Sequence, residues 1–156
     1  MSETPATKFL TEHGVAFTLT PYEYEEHGGT RVSSQKLGVD EHVVIKTLVF
    51  EDETKTPLLV LMHGDKKVSA KALARQLGLK SVQPCKPEVA QRHTGYQVGG
   101  TSPFGTKKVL RVCCERTIAG LPQIFINAGG RGLLCSLSPN ELVRVLSPTL
   151  VDCASD

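Results

Sequence analysis

Residues 43–50, Val-Val-Ile-Lys-Thr-Leu-Val-Phe, constrain this chain more than any other stretch. Apolar side chains occupy both parities of the run, so a strand formed here has to be covered on both faces and belongs in the middle of a sheet. Successive side chains point to opposite faces, which puts Lys46 on the face of Val44, Leu48 and Phe50. An ammonium group in a dry core is costly unless it is paired. Lys46 therefore has either a carboxylate partner or an opening into a wet cavity that takes an anionic ligand. A lysine snorkelling from a frayed strand end would look similar, but the mid-strand position argues against it and favours a pocket.

The charged turn 51–56 leads into a second apolar run, 57–63, the expected hairpin partner. Upstream, Thr4-Pro5 reads as a helix N-cap followed by proline at the first helical position. Ala6, Phe9, Leu10 and His13 fall on one stripe, and Gly14 supplies the stop. Residues 15–22 read as a strand whose Pro21 suggests an edge or an end, and 31–37 as a short helix closed by Gly38. Ser69 caps a helix with Ala70, Leu73, Ala74 and Leu77 inward and Lys71 and Arg75 outward. A further short helix runs from Lys86-Pro87 to about His93. Strands are expected at 109–114, 123–127 and 133–137, and Ser138-Pro139-Asn140-Glu141 opens a last helix. There is no long linker, repeat or low-complexity tract, so residues 1–156 are read as one domain of the α+β class.

Two glycine-rich segments interrupt this regular pattern. In the first, from Thr94 to Lys108, four of the chain's 14 glycines fall within 11 residues, followed by a lysine pair. The second is Ala128-Gly129-Gly130-Arg131-Gly132. Glycine lets backbone approach a ligand closely, and loops held between rigid elements commonly carry binding groups.

The chain contains no HExxH, no zinc-type Cys/His spacing, no Walker loop, no GxSxG elbow and no dinucleotide fingerprint, so neither metal nor cofactor is expected. Five cysteines, odd in number and without a CxxC pair, read as reduced and mostly buried thiols, with Cys113 and Cys114 on opposite faces of a strand. A net charge of +2 gives no strong global field for nucleic acid, so RNA contact has to come from local clusters. The clusters available are Lys66, Lys67, Lys71, Arg75 and Lys80, and separately Lys107, Lys108 and Arg111. No apolar run approaches the length of a membrane span and Met1 to Pro5 has no signal-peptide character, so a cytoplasmic protein without membrane contact is expected. What remains is one improbable lysine, two loops rich in N–H donors and small polar groups. That inventory suits holding an anion and an oxyanion better than supplying a side-chain nucleophile.

The string Ile45-Lys46-Thr47-Leu48, the loop from Thr94 to Gly105 and the turn Gly129–Gly132 together closely resemble the bacterial YbaK/EbsC family, and the match follows nearly the whole chain in order. The resemblance implies a mixed sheet curved into a barrel-like core with helices around it. It also implies hydrolysis of mischarged aminoacyl-tRNA, above all cysteine on tRNA(Pro), as by the editing domain of bacterial prolyl-tRNA synthetases. Lys46 corresponds to the family's essential lysine, which holds the RNA 3′ end, and Gly100 and Thr101 line the aminoacyl site. Tyr22, Asn127 and Gly129 match pocket positions, and the same segments place Thr47, Tyr96, Gly99, Ser102 and Arg131 in substrate binding. The implied partners are the tRNA acceptor end and a prolyl-tRNA synthetase, not DNA. Two departures bear on specificity. The family's best-known members carry Ser-Gly-Gly-Lys-Arg-Gly where this chain has Asn127 to Gly132, and an aromatic residue where it has Gly28, Gly29 and Thr30. A module that binds an RNA 3′ end or a nucleotide without cleaving it is the alternative reading, and a thiol-based redox device a third.

Overall fold

A computed structural model describes residues 3–156. In chain order its elements are α1 (Pro5–Glu12), β1 (Thr18–Pro21), α2 (Gly29–Leu37), β2 (Val44–Asp52), β3 (Pro57–His63), β4 (Lys67–Val68), α3 (Ala70–Leu77), β5 (Val82–Pro84), α4 (Pro87–Thr94), β6 (Arg111–Glu115), β7 (Ile124–Gly130), β8 (Leu133–Leu137), α5 (Pro139–Leu146), β9 (Thr149–Val151) and β10 (Ala154–Ser155). The caps read from sequence form. Thr4 Oγ1 accepts from Thr7 N at 3.0 Å ahead of α1, Ser69 Oγ accepts from Ala72 N at 3.2 Å ahead of α3, and Ser138 Oγ accepts from Asn140 N at 3.2 Å ahead of α5.

The strands of the large mixed sheet lie in the order β1-β8-β7-β2-β3-β6-β9, with β5 added beside β2. β2 and β3 form the expected antiparallel hairpin, while β2–β7, β3–β6 and β6–β9 are parallel. The α+β class and the mixed sheet are as expected, and among the described residues no pairing joins β1 to β9 into a closed barrel. Both faces are covered, as the doubly apolar run at β2 requires. One core gathers Ile45, Val49, Leu59, Leu61 and Cys114 with Leu10, Phe104, Ile118 and Leu142. The opposite core gathers Phe50, Leu58, Val60, Met62 and Cys113 with Leu73, Ala74 and Val151. Cys113 and Cys114 thus enter different cores, and all five thiols are free. Burial pushes Cys114, Cys135 and Cys153 up to about 12, which keeps them as inert thiols and speaks against the redox reading.

Four short strands were not foreseen. β4, β5, β9 and β10 have two or three residues each, too few to show a period of two, and their pairing is set by tertiary neighbours. One of them matters for the site. β7 pairs with β2 only at Val44 and Ile45, and β5 only from Phe50 to Asp52. Both lie on the side of β2 away from β3, so the sheet splits there and leaves the middle of β2 with an open edge.

Candidate functional site

The open edge of β2 forms the floor of a cavity of about 670 Å³ that is lined by every residue from Val44 to Phe50. Cys85 N donates to Val49 O at 2.9 Å across this edge. The two-residue period then turns the Thr47 N–H and C=O towards the gap as well. No strand partner meets Thr47 on that side. Its hydroxyl is also the one buried side-chain oxygen or nitrogen without a hydrogen-bond partner among the described residues. Buried main-chain and hydroxyl groups are nearly always satisfied in native structures. An unsatisfied cluster at the floor of a cavity is therefore an invitation to a ligand.

Lys46 faces the same space. It is half-buried and forms no ion pair among the described residues. Burial holds its ammonium below the ordinary lysine value, the carboxylates of Glu41 and Asp65 partly offset this, and Lys67 acts in the same sense as burial. Of the two possibilities read from sequence, a carboxylate partner or an opening, the structure shows the opening. The cation is half-buried and has no ion-pair partner among the described residues, which is the condition for attracting an anion.

The two glycine segments meet beside it. Asn127 links them: its Nδ2 donates to Gly99 O at 3.2 Å and Gly130 O at 3.1 Å, and its Oδ1 accepts from Gly129 N at 2.6 Å and Gly130 N at 3.1 Å. Arg131 adds a second link, donating from Nε to Val98 O at 2.9 Å while its guanidinium lies 5.3 Å from the Tyr24 ring centre. Gly100 marks the closest approach of the segments. A Cβ there would lie 3.0 Å from Gly130 C and 3.1 Å from Arg131 N, so a side chain would push the two backbones apart by a few tenths of an ångström.

Of the residues singled out from sequence, Tyr22, Lys46, Thr47, Gly99, Thr101, Asn127 and Arg131 line the cavity. Tyr22 is partly buried, and burial with the neighbouring Tyr24 raises its phenol above the ordinary value, keeping it a neutral donor. Gly100, Tyr96, Ser102 and Gly129 stand behind the wall. The Gly100 N–H is already donated to Gln97 O at 2.8 Å. Tyr96 is buried and donates from its hydroxyl to Phe104 O at 2.6 Å, and Ser102 Oγ accepts from Phe104 N at 3.1 Å. These four shape the loop rather than present groups to a ligand. Sequence reasoning did not single out Tyr24, Ser33 or Val98, which line the cavity, as do Lys67, read only as part of a basic cluster, and Thr30, read only as a departure from the family's aromatic residue. Val98 carried a weak signal as an apolar residue within a glycine loop, and the structure leaves it 49 % exposed. The others arrive from the irregular stretch before α2, from α2 itself and from the two-residue β4.

The tightest group of potential metal ligands among the described residues, His42, His63 and Asp65, is knit together by other bonds. His63 Nδ1 meets the His42 carbonyl at 2.8 Å and Nε2 meets the Thr117 hydroxyl at 2.7 Å, while the two rings stack at 3.8 Å. Neither ring nitrogen of His63 is free in this arrangement.

Comparison with known proteins agrees with this geometry. Residues 29–145 match the family model described as the aminoacyl-tRNA editing domain. A protein of Enterococcus faecalis named "Putative Cys-tRNA(Pro)/Cys-tRNA(Cys) deacylase EbsC" is 27 % identical over 146 residues, covering 92 % of this chain and 88 % of that protein. A proline–tRNA ligase of Streptococcus equi subsp. zooepidemicus is 30 % identical over 106 residues, which cover 67 % of this chain but 17 % of the ligase. A crystal structure described as "a putative trans-editing enzyme for prolyl tRNA synthetase" superposes with a TM-score of 0.87 at 21 % identity, over 99 % of this chain and all of that one, and shares the fold. With a family model spanning most of its length and a full-length relative in EbsC, this chain belongs to the aminoacyl-tRNA editing domain family, in its YbaK/EbsC branch.

Proposed function

We infer that this protein, as one domain of 156 residues, hydrolyses the ester of mischarged aminoacyl-tRNA, and that its substrate is Cys-tRNA(Pro). The observation that carries this is the unpaired, half-buried Lys46 cation beside the open edge of β2. Lys46 attracts the phosphate of the RNA 3′ end. The Thr47 main chain and the Thr101 hydroxyl supply polar contacts for the aminoacyl group and its developing oxyanion. Tyr22, Gly99, Asn127 and Arg131 form the walls, and Gly100, Gly129, Tyr96 and Ser102 hold the walls in place.

An aminoacyl ester is already activated, so positioning and oxyanion stabilisation carry most of the work. With cysteine as the aminoacyl group, the substrate sulfur attacks its own carbonyl. The ribose oxygen leaves with the thiol proton, and water opens the resulting four-membered thiolactone to free cysteine. No protein nucleophile is required. This suits a cavity whose one thiol, Cys85, is pushed up to about 11 by burial and by Glu51. Selection of tRNA(Pro) is assigned to a prolyl-tRNA synthetase partner in the cytoplasm, because a domain of this size has little surface with which to reach an anticodon.

The lack of an activated side-chain nucleophile also favours a second reading, a module that binds the RNA 3′ end and leaves the ester intact. One assay separates the two. The purified protein is incubated with tRNA(Pro) carrying cysteine, alanine or serine. Release above the uncatalysed rate, fastest for cysteine and abolished in Lys46→Ala, supports the deacylase. Salt-sensitive binding without release from any of the three supports the binding module.

A further inference from the structure

The cavity accounts for the 3′ end of a tRNA but not for the duplex behind it. β4 places Lys67 on the cavity wall, and its charge is felt at Lys46. Two residues on, Ser69 caps α3, whose outward face carries Lys71 and Arg75 one helical turn apart, and the chain returns at Lys80 after the Gly78 turn. Lys71, Arg75 and Lys80 line a groove of about 450 Å³ between α3 and β5, floored by Ala70, Ala74 and Val82. Lys67, Lys71, Arg75 and Lys80 are all exposed, and none of them forms an ion pair among the described residues. Three acids that the fold brings to this side have other partners. Asp65 pairs with His42 at 2.9 Å, Asp156 with Lys66, and Glu53 Oε1 accepts from Lys80 N at 3.2 Å. A run of exposed cations is ordinarily a solvated face. This one differs in beginning at a residue of the cavity wall, in being grooved, and in having no ion pair to a carboxylate among the described residues.

We propose that the strip Lys67–Lys71–Arg75–Lys80 is the docking surface for the phosphate backbone of the tRNA acceptor duplex, which it guides away from the cavity once the 3′ end has entered at Lys46. The inference rests on the deacylase reading for its substrate, and it assigns a surface to that substrate which the cavity does not contain. Phosphate contacts of this kind position a nucleic acid without reading its sequence and make binding steeply dependent on salt.

The test compares the triple variant Lys71→Glu/Arg75→Glu/Lys80→Glu with the wild type on two esters, full-length Cys-tRNA(Pro) and 3′-O-cysteinyl-adenosine. Lys67 is left unchanged because it lines the cavity. The expected result is a fall of about tenfold or more in kcat/KM on the tRNA, a salt slope shallower by about 2 to 3, and no change on the short ester. A milder Lys71→Gln/Arg75→Gln variant, checked for an unchanged melting curve, guards against misfolding and should show a smaller loss of the same kind. Equal losses on both esters would overturn the proposal, because the strip would then act through the cavity or the fold. No loss on either ester overturns it too, as does a loss that instead follows Lys107→Glu/Lys108→Glu. Should the wild type cleave neither ester, the deacylase reading fails alone. The strip is then tested by the salt slope of binding to uncharged tRNA(Pro), where an unchanged slope in the triple variant overturns it and a shallower one upholds it.

Discussion

Replacing Lys46 by methionine should make the protein more stable and less able to hold RNA. Methionine has nearly the same length and no charge, so the substitution isolates the ammonium. Lys46 has no ion-pair partner to strand, and burial already disfavours its charge. Exchanging fully buried ionic groups for apolar ones stabilises by about 1–4 kcal/mol, and the half-exposure of Lys46 reduces the expectation to about 0.5–1 kcal/mol. For a chain of this size that is a rise of about 1–3 °C in Tm. The cost appears in binding. A cation and a phosphate about 4 Å apart interact by about 4 kcal/mol at an effective dielectric of about 20, and screening at a half-exposed site leaves about 2 kcal/mol, or about thirtyfold in Kd. Thermal unfolding and fluorescence titration with a short 3′-CCA RNA measure the two effects on the same samples. A destabilisation of about 1 kcal/mol or more would mean that Lys46 has a partner, and an unchanged Kd would mean that it holds no phosphate. Either result refutes the reasoning.

Gly100→Ala should force the two glycine segments apart, because its Cβ would meet Gly130 C at 3.0 Å. A loss of about 1–3 kcal/mol with impaired deacylation is expected. Gly130→Ala, whose nearest neighbour would be Leu133 Cβ at 3.8 Å, should stay within about 0.5 kcal/mol of the wild type in chemical denaturation. Asn127→Ala removes one hydrogen bond between the segments, to Gly99 O, and three within its own turn, and should cost about 1–3 kcal/mol, seen also as faster amide exchange at Gly129 and Gly130. Glu115 gives the pH dependence. Burial pushes its carboxyl up, but donation from Cys153 N, Thr117 N and Oγ1 and Ala154 N outweighs this and holds it below the ordinary value. The unfolded chain therefore takes up this proton first as pH falls. The stabilisation is complete above the unfolded carboxyl value of about 4.3 and is lost as pH drops through the lower folded value. Glu115→Gln should flatten the acid-side stability curve in that window.

The parts of this molecule that sequence made legible are those in which one physical rule acts locally. The doubly apolar run at β2 required a covered central strand, and the two cores on either face of Ile45 and Phe50 supply it. The caps at Thr4, Ser69 and Ser138 were visible because a hydroxyl ahead of a helix has one common use. Lys46 stood out because a charge in an apolar period conflicts with its surroundings, and such conflicts tend to mark sites. The gap in the sheet could not be read in this way. It depends on where β7 leaves β2 and where the three-residue β5 joins it, both decided by long-range pairing. Glycine-loop membership likewise did not distinguish Thr101, which faces the cavity, from Ser102 next to it, which is fully buried and caps a turn. Tyr24 and Lys67 reach the cavity from segments without any period at all.

The central claim is that this fold removes the wrong amino acid from tRNA(Pro) without a nucleophile of its own. Its most direct test is the single-turnover release of radiolabelled amino acid from Cys-tRNA(Pro) and from Pro-tRNA(Pro), with protein in excess. The account predicts cysteine release far above the uncatalysed rate, proline left in place, and both esters at the uncatalysed rate in Lys46→Ala. Saturable, salt-sensitive binding of both tRNAs with both esters decaying at the uncatalysed rate would contradict it.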